Sequence, residues 1–402
     1  MTPRFLDRRS PPHIATLILL SGISALNMSV FLPSLSDMAE HFEVSYGLMQ
    51  LAVPLYLAAT TVVQIVAGPL SDRYGRRPLL MVTLVIFILA TVGCIFAPSI
   101  TVFLVCRVIQ AAVATAMVLS RAIVRDLFDA DKAASMLGYV IMGMSIVPMI
   151  GPMLGGVLDE LFGWQASFVL LILCGLLMLA VVQFDLSETS ERSDTSLFGQ
   201  LRATPELLRA QRFWAYVLTA GFTSGTYFAL LGGASHVAGE MFGLSPKMTG
   251  LALGAPAIGY MAGNFISGRL AMRMGLDRLI LWGTAITLVP MGLSLGLGLM
   301  GHQSPWTLFG LCTLLGLGNG LVMPNAMSGM LSVRPKLAGT ASGIGGAFQI
   351  GGGAIVAAAA GFLLEDAATP LPLQAIMALC AVLALLSALW AAWRNRQLAL
   401  QG

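Results

Sequence analysis

Charge is what this 402-residue sequence has least of. Asp, Glu, Lys and Arg together make up 10% of it, against roughly 25% in a soluble protein. With 57% hydrophobic residues and a mean hydropathy of +0.85, a water-facing globule could not cover itself with polar groups. A cytosolic enzyme is excluded, and a net charge of +3 is too diffuse for a nucleic-acid binder. Cysteine is scarce too. The five thiols (Cys94, Cys106, Cys174, Cys312, Cys380) all lie inside apolar runs, which excludes a secreted disulfide scaffold and makes them small packing residues. The four histidines (His13, His41, His236, His302) are scattered without metal-ligand spacing, and no G-x-x-x-x-G-K-[ST] phosphate loop is present. No clustered acids or histidines suggest catalysis. The expectation is therefore no enzyme, no metal, no cofactor and no direct use of ATP.

Long apolar runs are what the chain has instead. A helix needs about 20 largely apolar residues to cross a bilayer. Six such runs are read at 14–36, 44–71, 78 to 97, 99–120, 133–158 and 161–184. Two more cover 213–239 and 248–268. The run 279–333 must hold two helices, split at the Gly301-His302-Gln303-Ser304-Pro305 turn. The last two cover 337–364 and 367–393. The prediction is an all-α polytopic membrane protein with twelve transmembrane helices. The basic N-terminus ahead of the first run could mark a signal peptide. The 23-residue run is long for one and has no small-residue cleavage site before Asp37, so a retained first helix is expected.

Lys and Arg set the orientation. With Met1 inside, 20 of the 22 basic residues fall on the cytoplasmic side, leaving Lys247 outside and Arg107 within the membrane. The opposite face collects Asp37, Glu40, Glu43, Asp159, Glu160, Glu240, Glu365 and Asp366. Both termini are expected in the cytoplasm. The charged interval 185–212 separates six spans from six, giving bundles over 1–184 and 213–402 joined by a cytoplasmic loop, within which 197–208 could form an amphipathic surface helix. Gly68, Leu70, Arg73 and Gly75 recur as Gly268, Leu270, Arg273 and Gly275, each at the cytoplasmic end of the second span of its half, as internal duplication requires.

The segment Gly68-Pro69-Leu70-Ser71-Asp72-Arg73-Tyr74-Gly75-Arg76-Arg77 resembles the G-x-L-a-D-r-x-G-R-[KR] signature of the major facilitator superfamily. Its glycines suit a tight turn and close helix approach, and Asp72 can pair with Arg76 or meet a helix N-terminus. Such a cluster can latch one side of a transporter shut. The stretch 145–156, S-I-V-P-M-I-G-P-M-L-G-G, resembles the fifth-helix motif of the superfamily's antiporters through Pro148, Gly151, Pro152, Gly155 and Gly156. Its small residues suit close packing against a counterpart helix across the two halves. Arg121 to Asp126, including Arg125, and 337–343 are similar to the bicyclomycin/chloramphenicol-resistance branch of drug:proton antiporters. The resemblance spans 14–393. It implies two pseudo-symmetric six-helix bundles, a central cavity and alternating access, in a monomer of the bacterial inner membrane that exchanges protons for small, often amphipathic molecules.

Arg107 lies about eight residues into the fourth span, on the order of 12 Å along its axis, where a guanidinium is costly without a partner. The R-x-x-Q spacing of Arg107 and Gln110 matches the family, which implies a cation that binds a substrate anion or tunes a proton-carrying acid. The chain departs from the branch in the first span. There it reads Asn27-Met28-Ser29-Val30-Phe31-Leu32-Pro33, with Ser29 where relatives commonly carry an aspartate. No acid falls within the core of any span. Asp37, His236, or Arg107 with bound water are the candidates left for proton coupling, with Asn27 and Gln110 beside Arg107. Two readings compete: export of drugs or drug-like molecules, and dedicated export of one anionic metabolite, such as a siderophore, held by Arg107.

Overall fold

A computed structural model describes residues 12–127, 136, 140, 147, 150–189, 207–334, 338–365 and 367–401. Among these, every regular element is helical. In the first half these are α1 (Ile14–Ser29), α2 (Leu35–His41), α3 (Tyr46–Gln50), α4 (Ala52–Tyr74), α5 (Arg76–Ile95), α6 (Ile100–Gln110), α7 (Ala114–Leu127), α8 (150–162) and α9 (Gln165–Asp185). The second half contributes α10 (Gln211–His236), α11 (Pro246–Met274), α12 (Leu276–Leu299), α13 (Leu311–Ser332), α14 (Ala338–Leu364) and α15 (Leu371–Gln401).

Nine stretches among the described residues are long and apolar enough to cross a membrane. α10 and α11 have the length, 26 and 29 residues, but carry more Thr, Ser, Tyr and Gly. The remaining span, expected over 133–158, is described continuously only from residue 150. The protein is thus an all-α polytopic membrane protein of twelve helices. The run 279–333 does divide in two, at Gly301, whose φ of +82° suits a residue without a side chain. Pro148, Lys132, the Arg125 side chain and 197–206 of the expected surface helix lie outside the described residues.

Contacts group the chain into two compact units, Met1–Val44 with Leu55–Thr195, and Ser45–Pro54 with Ser196–Gly402. In lipid, helices are held by close packing rather than by a hydrophobic drive, and each unit does this with glycine. In the second, Gly263 of α11 meets Gly320 of α13, while Gly259 and Gly316 each lie against the backbone of the other helix. A Cβ on Gly259 would stand 1.8 Å from the Thr313 carbonyl, and one on Gly316 would stand 1.8 Å from that of Pro256. In the first unit α8 packs on α1 the same way. A Cβ on Gly155 would stand 1.6 Å from the Val30 carbonyl oxygen, and one on Gly151 would stand 2.5 Å from Ser29 Oγ. The fifth-span glycines therefore serve packing within their own unit.

Candidate substrate and coupling site

Three helices of the first unit converge on Arg107, which is fully buried. α1 ends at Ser29 and resumes as a 3-10 turn, Leu32–Ser34, because Pro33 has no N–H to continue the ladder. At this break Asn27 offers Arg107 two acceptors, its side-chain Oδ1 at 3.1 Å and its own carbonyl at 3.4 Å. α6 likewise gives way to a 3-10 turn, Ala111–Val113, one residue after Gln110. The Gln110 Oε1 accepts from Arg107 at 2.5 Å, and its Nε2 donates to Thr91 of α5 at 2.8 Å. Phe31 and Tyr56 place their rings 4.2 and 4.7 Å from the guanidinium carbon, within cation–π reach. The Tyr56 hydroxyl in turn donates to the Ser24 carbonyl at 3.3 Å.

Every one of these partners is neutral. Among the described residues no carboxylate forms an ion pair with Arg107, and its Nε has no hydrogen-bond partner. The site is a fixed positive charge solvated by amides and aromatic faces. The sequence reading joined Arg107, Gln110 and Asn27, and the structure brings the three together. Thr91, Phe31 and Tyr56 were not foreseen as neighbours of Arg107, because nothing in their local sequence says which helix face they occupy. Ser29 does not face Arg107. Its hydroxyl bonds the Ala25 carbonyl at 3.4 Å and lies against Gly151, so a longer acid at 29 would collide with α8.

The glycine-rich loop between α4 and α5 makes a second constellation. Gly75 takes φ +96°, and a Cβ there would stand 2.5 Å from Glu188 Oε2. The two Glu188 oxygens accept from the backbone N–H groups of Arg76 at 2.9 Å and Arg77 at 3.3 Å. These are orphan donors at the positive end of α5, where an anion is favoured. Arg76 reaches back to Asp72 at 2.7 Å and across to Asp126 of α7 at 3.1 Å, and also bonds Ser71. Arg77 donates to Gln183 at 2.6 Å. Asp72 thus pairs with Arg76, while Glu188, absent from the expected set, takes the helix N-terminus. Arg73 is exposed and lies on Tyr74, 5.5 Å from its ring centre. At Gly68 the expected close approach is not found, since a Cβ there would meet nothing within 4 Å.

Comparison with known proteins settles what this arrangement belongs to. The family model of the Major Facilitator Superfamily matches residues 17–241 and 218–400. The chain belongs to the major facilitator superfamily. It is 28% identical over 362 residues to multidrug resistance protein D of Escherichia coli (strain K12), covering 88% of this chain and 89% of that one. It is 26% identical over 387 residues to a bicyclomycin resistance protein homolog of Haemophilus influenzae, covering 95% and 96%. These relatives bear out the resemblance to the bicyclomycin-resistance branch. The fold matches a bacterial homolog of the human lysosomal transporter Spinster, solved inward-facing and unoccupied, with a TM-score of 0.72 at 15% identity over 95% of this chain and 96% of that one.

As in a superfamily protein built from two repeats, the α4–α5 loop has a counterpart 200 residues on. Gly275 takes φ +80°, and α12 begins directly after it as α5 does after Gly75. Asp277 stands in the first turn of α12, bonded by the Tyr216 hydroxyl at 3.0 Å and by Asn395 at 2.8 Å. The other proton candidates fall one in each unit. Asp37 is exposed in the first turn of α2. His236, in the second unit, stacks 4.6 Å from Tyr46, donates its backbone N–H to the Tyr46 hydroxyl at 3.0 Å and places Nδ1 3.5 Å from Glu240. Gln50, which the sequence did not single out, donates in that unit to the carbonyls of Gly232 and, at 3.1 Å, Ala357. Asn325 bonds Ser267 at 2.7 Å, and Asn319 donates to Thr226 at 3.4 Å, so both join helices.

Proposed function

We propose that this superfamily member sits in the bacterial inner membrane as a monomer with both termini in the cytoplasm. It exports drugs or drug-like small molecules by alternating access, in exchange for protons. The six-helix bundles over 1–184 and 213–402 are the moving halves, and 185–212 is their link. The observation that carries the reading is the buried Arg107 among neutral amides and aromatic rings, in a chain whose relatives over nearly its whole length include proteins named for multidrug and bicyclomycin resistance. Burying a guanidinium costs several kcal/mol unless something offsets it. Amides and ring faces offset part of this while leaving the charge free to act on what enters. Asn27, Gln110 and Arg107 form the substrate side of the site. Asp72, Arg76, Asp126 and the flanking Gly75 and Arg77 form the latch.

The test uses purified protein in liposomes under an imposed proton gradient, offered amphipathic cations, neutral phenicols and carboxylate-bearing chelators. Gradient-dependent movement of cations and neutral compounds is the expected result. Movement of the anionic chelators alone, lost in Arg107→Ala, would replace this reading with a dedicated exporter of an anionic metabolite.

A further inference from the structure

An antiporter needs a group that binds a proton in one state and releases it in another, and the first span lacks the acid its branch commonly carries there. The packing of α8 on α1 supplies one elsewhere. Gly151, Gly155 and Asp159 are spaced four apart, so they share one face of α8. Gly151 lies against Leu26 and Ser29, and Gly155 against the Val30 carbonyl. Continued by one turn, the same register sets Asp159 beside Ser34. Asp159 is only 6% exposed, and its Oδ2 is buried with no hydrogen-bond partner. The Ser34 hydroxyl is likewise fully buried with no hydrogen-bond partner. Asp37, one helical turn after Ser34 and so on the same face, is exposed.

We propose that Asp159, with Asp37 as its solvent-facing partner, is the group that takes up and gives back the exchanged proton. The assignment rests on the antiport reading above and names the site that reading lacks. Asp159 lies just past the apolar run that ends at Leu158. Burial, the largest cause, pushes its carboxyl up to about 6. The Ser34 hydroxyl opposes the shift and the neighbouring Asp37 charge adds to it. The other charged groups around it are exposed: Glu160 beside it on α8, and Glu40 and His41 on α2, the latter with its ring 5.3 Å from that of Trp164. From the start of α9 and the residue before it come neutral groups, Ser167 and Trp164. No cation forms an ion pair with Asp159 among the described residues. Two neighbouring carboxyls, one buried and one wet, keep one proton between them more readily than both ionise. Protonated, Asp159 is a neutral group that suits its tight seat against α1. Ionised, it is a buried anion facing Asp37, so proton release strains the α1–α8 contact at its end.

The experiment compares wild type, Asp159→Asn and Asp159→Glu in liposomes, in two assays. One reads accumulation of a cationic or neutral drug driven by a proton gradient. The other reads drug exchange at equal pH on both sides. A pH-indicator dye also follows protons released when drug is added to the purified protein near pH 6.5. The expected result is that Asp159→Asn loses gradient-driven accumulation and drug-induced proton release but keeps exchange. Asp159→Glu should restore both losses at least in part. Exchange in Asp159→Asn also shows that the variant is folded. If it fails in exchange as well, Asp37→Asn carries the test and must lower proton release. Accumulation or proton release at wild-type level in Asp159→Asn would overturn the assignment while leaving antiport intact. Absence of gradient-driven accumulation in wild type would instead overturn antiport itself.

Discussion

Arg107 and Asp159 are opposite answers to one problem, a charge held where water is scarce. Arg107 keeps its charge because three neutral acceptors and two rings share the cost of desolvating it. Arg107→Ala should abolish drug export with expression retained, since it removes the buried cation and leaves only neutral groups at the site. Near-normal export would reduce Arg107 to a packing residue. Arg107→Lys should rescue only weakly, because an ammonium cannot place two nitrogens on Asn27, at Oδ1 and at the carbonyl, as the guanidinium does. Asp159 instead holds its proton to higher pH than an ordinary carboxyl does. Its pKa of about 6, against an ordinary 3.8, means the folded protein binds that proton more tightly than the unfolded chain. Stability from this group is full below about pH 4 and is lost as pH rises through about 6. Asp159→Asn should therefore melt higher than wild type at pH 7.5, by up to about 3 kcal/mol in stability, and level with it at pH 3. Parallel melting curves at both pH values would contradict the buried, unpaired carboxyl.

Helix seams set where such charges can sit, and their glycines are not equivalent. Gly155→Ala would press a methyl group into the Val30 carbonyl. Backbone cannot step aside as a flexible side chain can, so the variant should lose at least about 1–3 kcal/mol and express poorly. Gly68→Ala meets open space and should melt like wild type, although both glycines belong to family-like motifs. Gly75→Ala combines a left-handed backbone with a collision at Glu188 and should cost about 1–3 kcal/mol. Thermal melts of the three variants, taken together, check this order. The twelve helices, the turn at Gly301 and the R-x-x-Q pair were legible in the sequence, since each follows from composition or spacing along one helix. Glu188 and Thr91 were not, because they reach their partners across helices. Asp159 read as one more outward acid. Only the depth to which Gly151 and Gly155 seat α8 on α1 turns it inward.

Over the whole chain, the two loops 200 residues apart show what duplication kept and what it changed. Both keep the glycine at positive φ and a helix that starts at the next residue. In the second half the acid at that helix start, Asp277, is tied to Tyr216 and Asn395. In the first half Arg76 is shared between Asp72 and Asp126, while Glu188 holds the backbone beside it. Arg76 is thus bound by carboxylates from two helices, and a third, from the segment after α9, holds its backbone. Loosening any one of them should free the loop without touching Arg107. Asp72→Asn removes one ionic partner from the arginine and leaves the Asp126 contact. It should slow the conformational cycle, seen as a lower transport turnover, with drug affinity from equilibrium binding little changed. Asp126→Asn should act the same way, and the double variant should do little more than the stronger single one if both acids serve one arginine. A variant that weakened drug binding while cycling at the normal rate would place the loop's role at the substrate instead of at the latch.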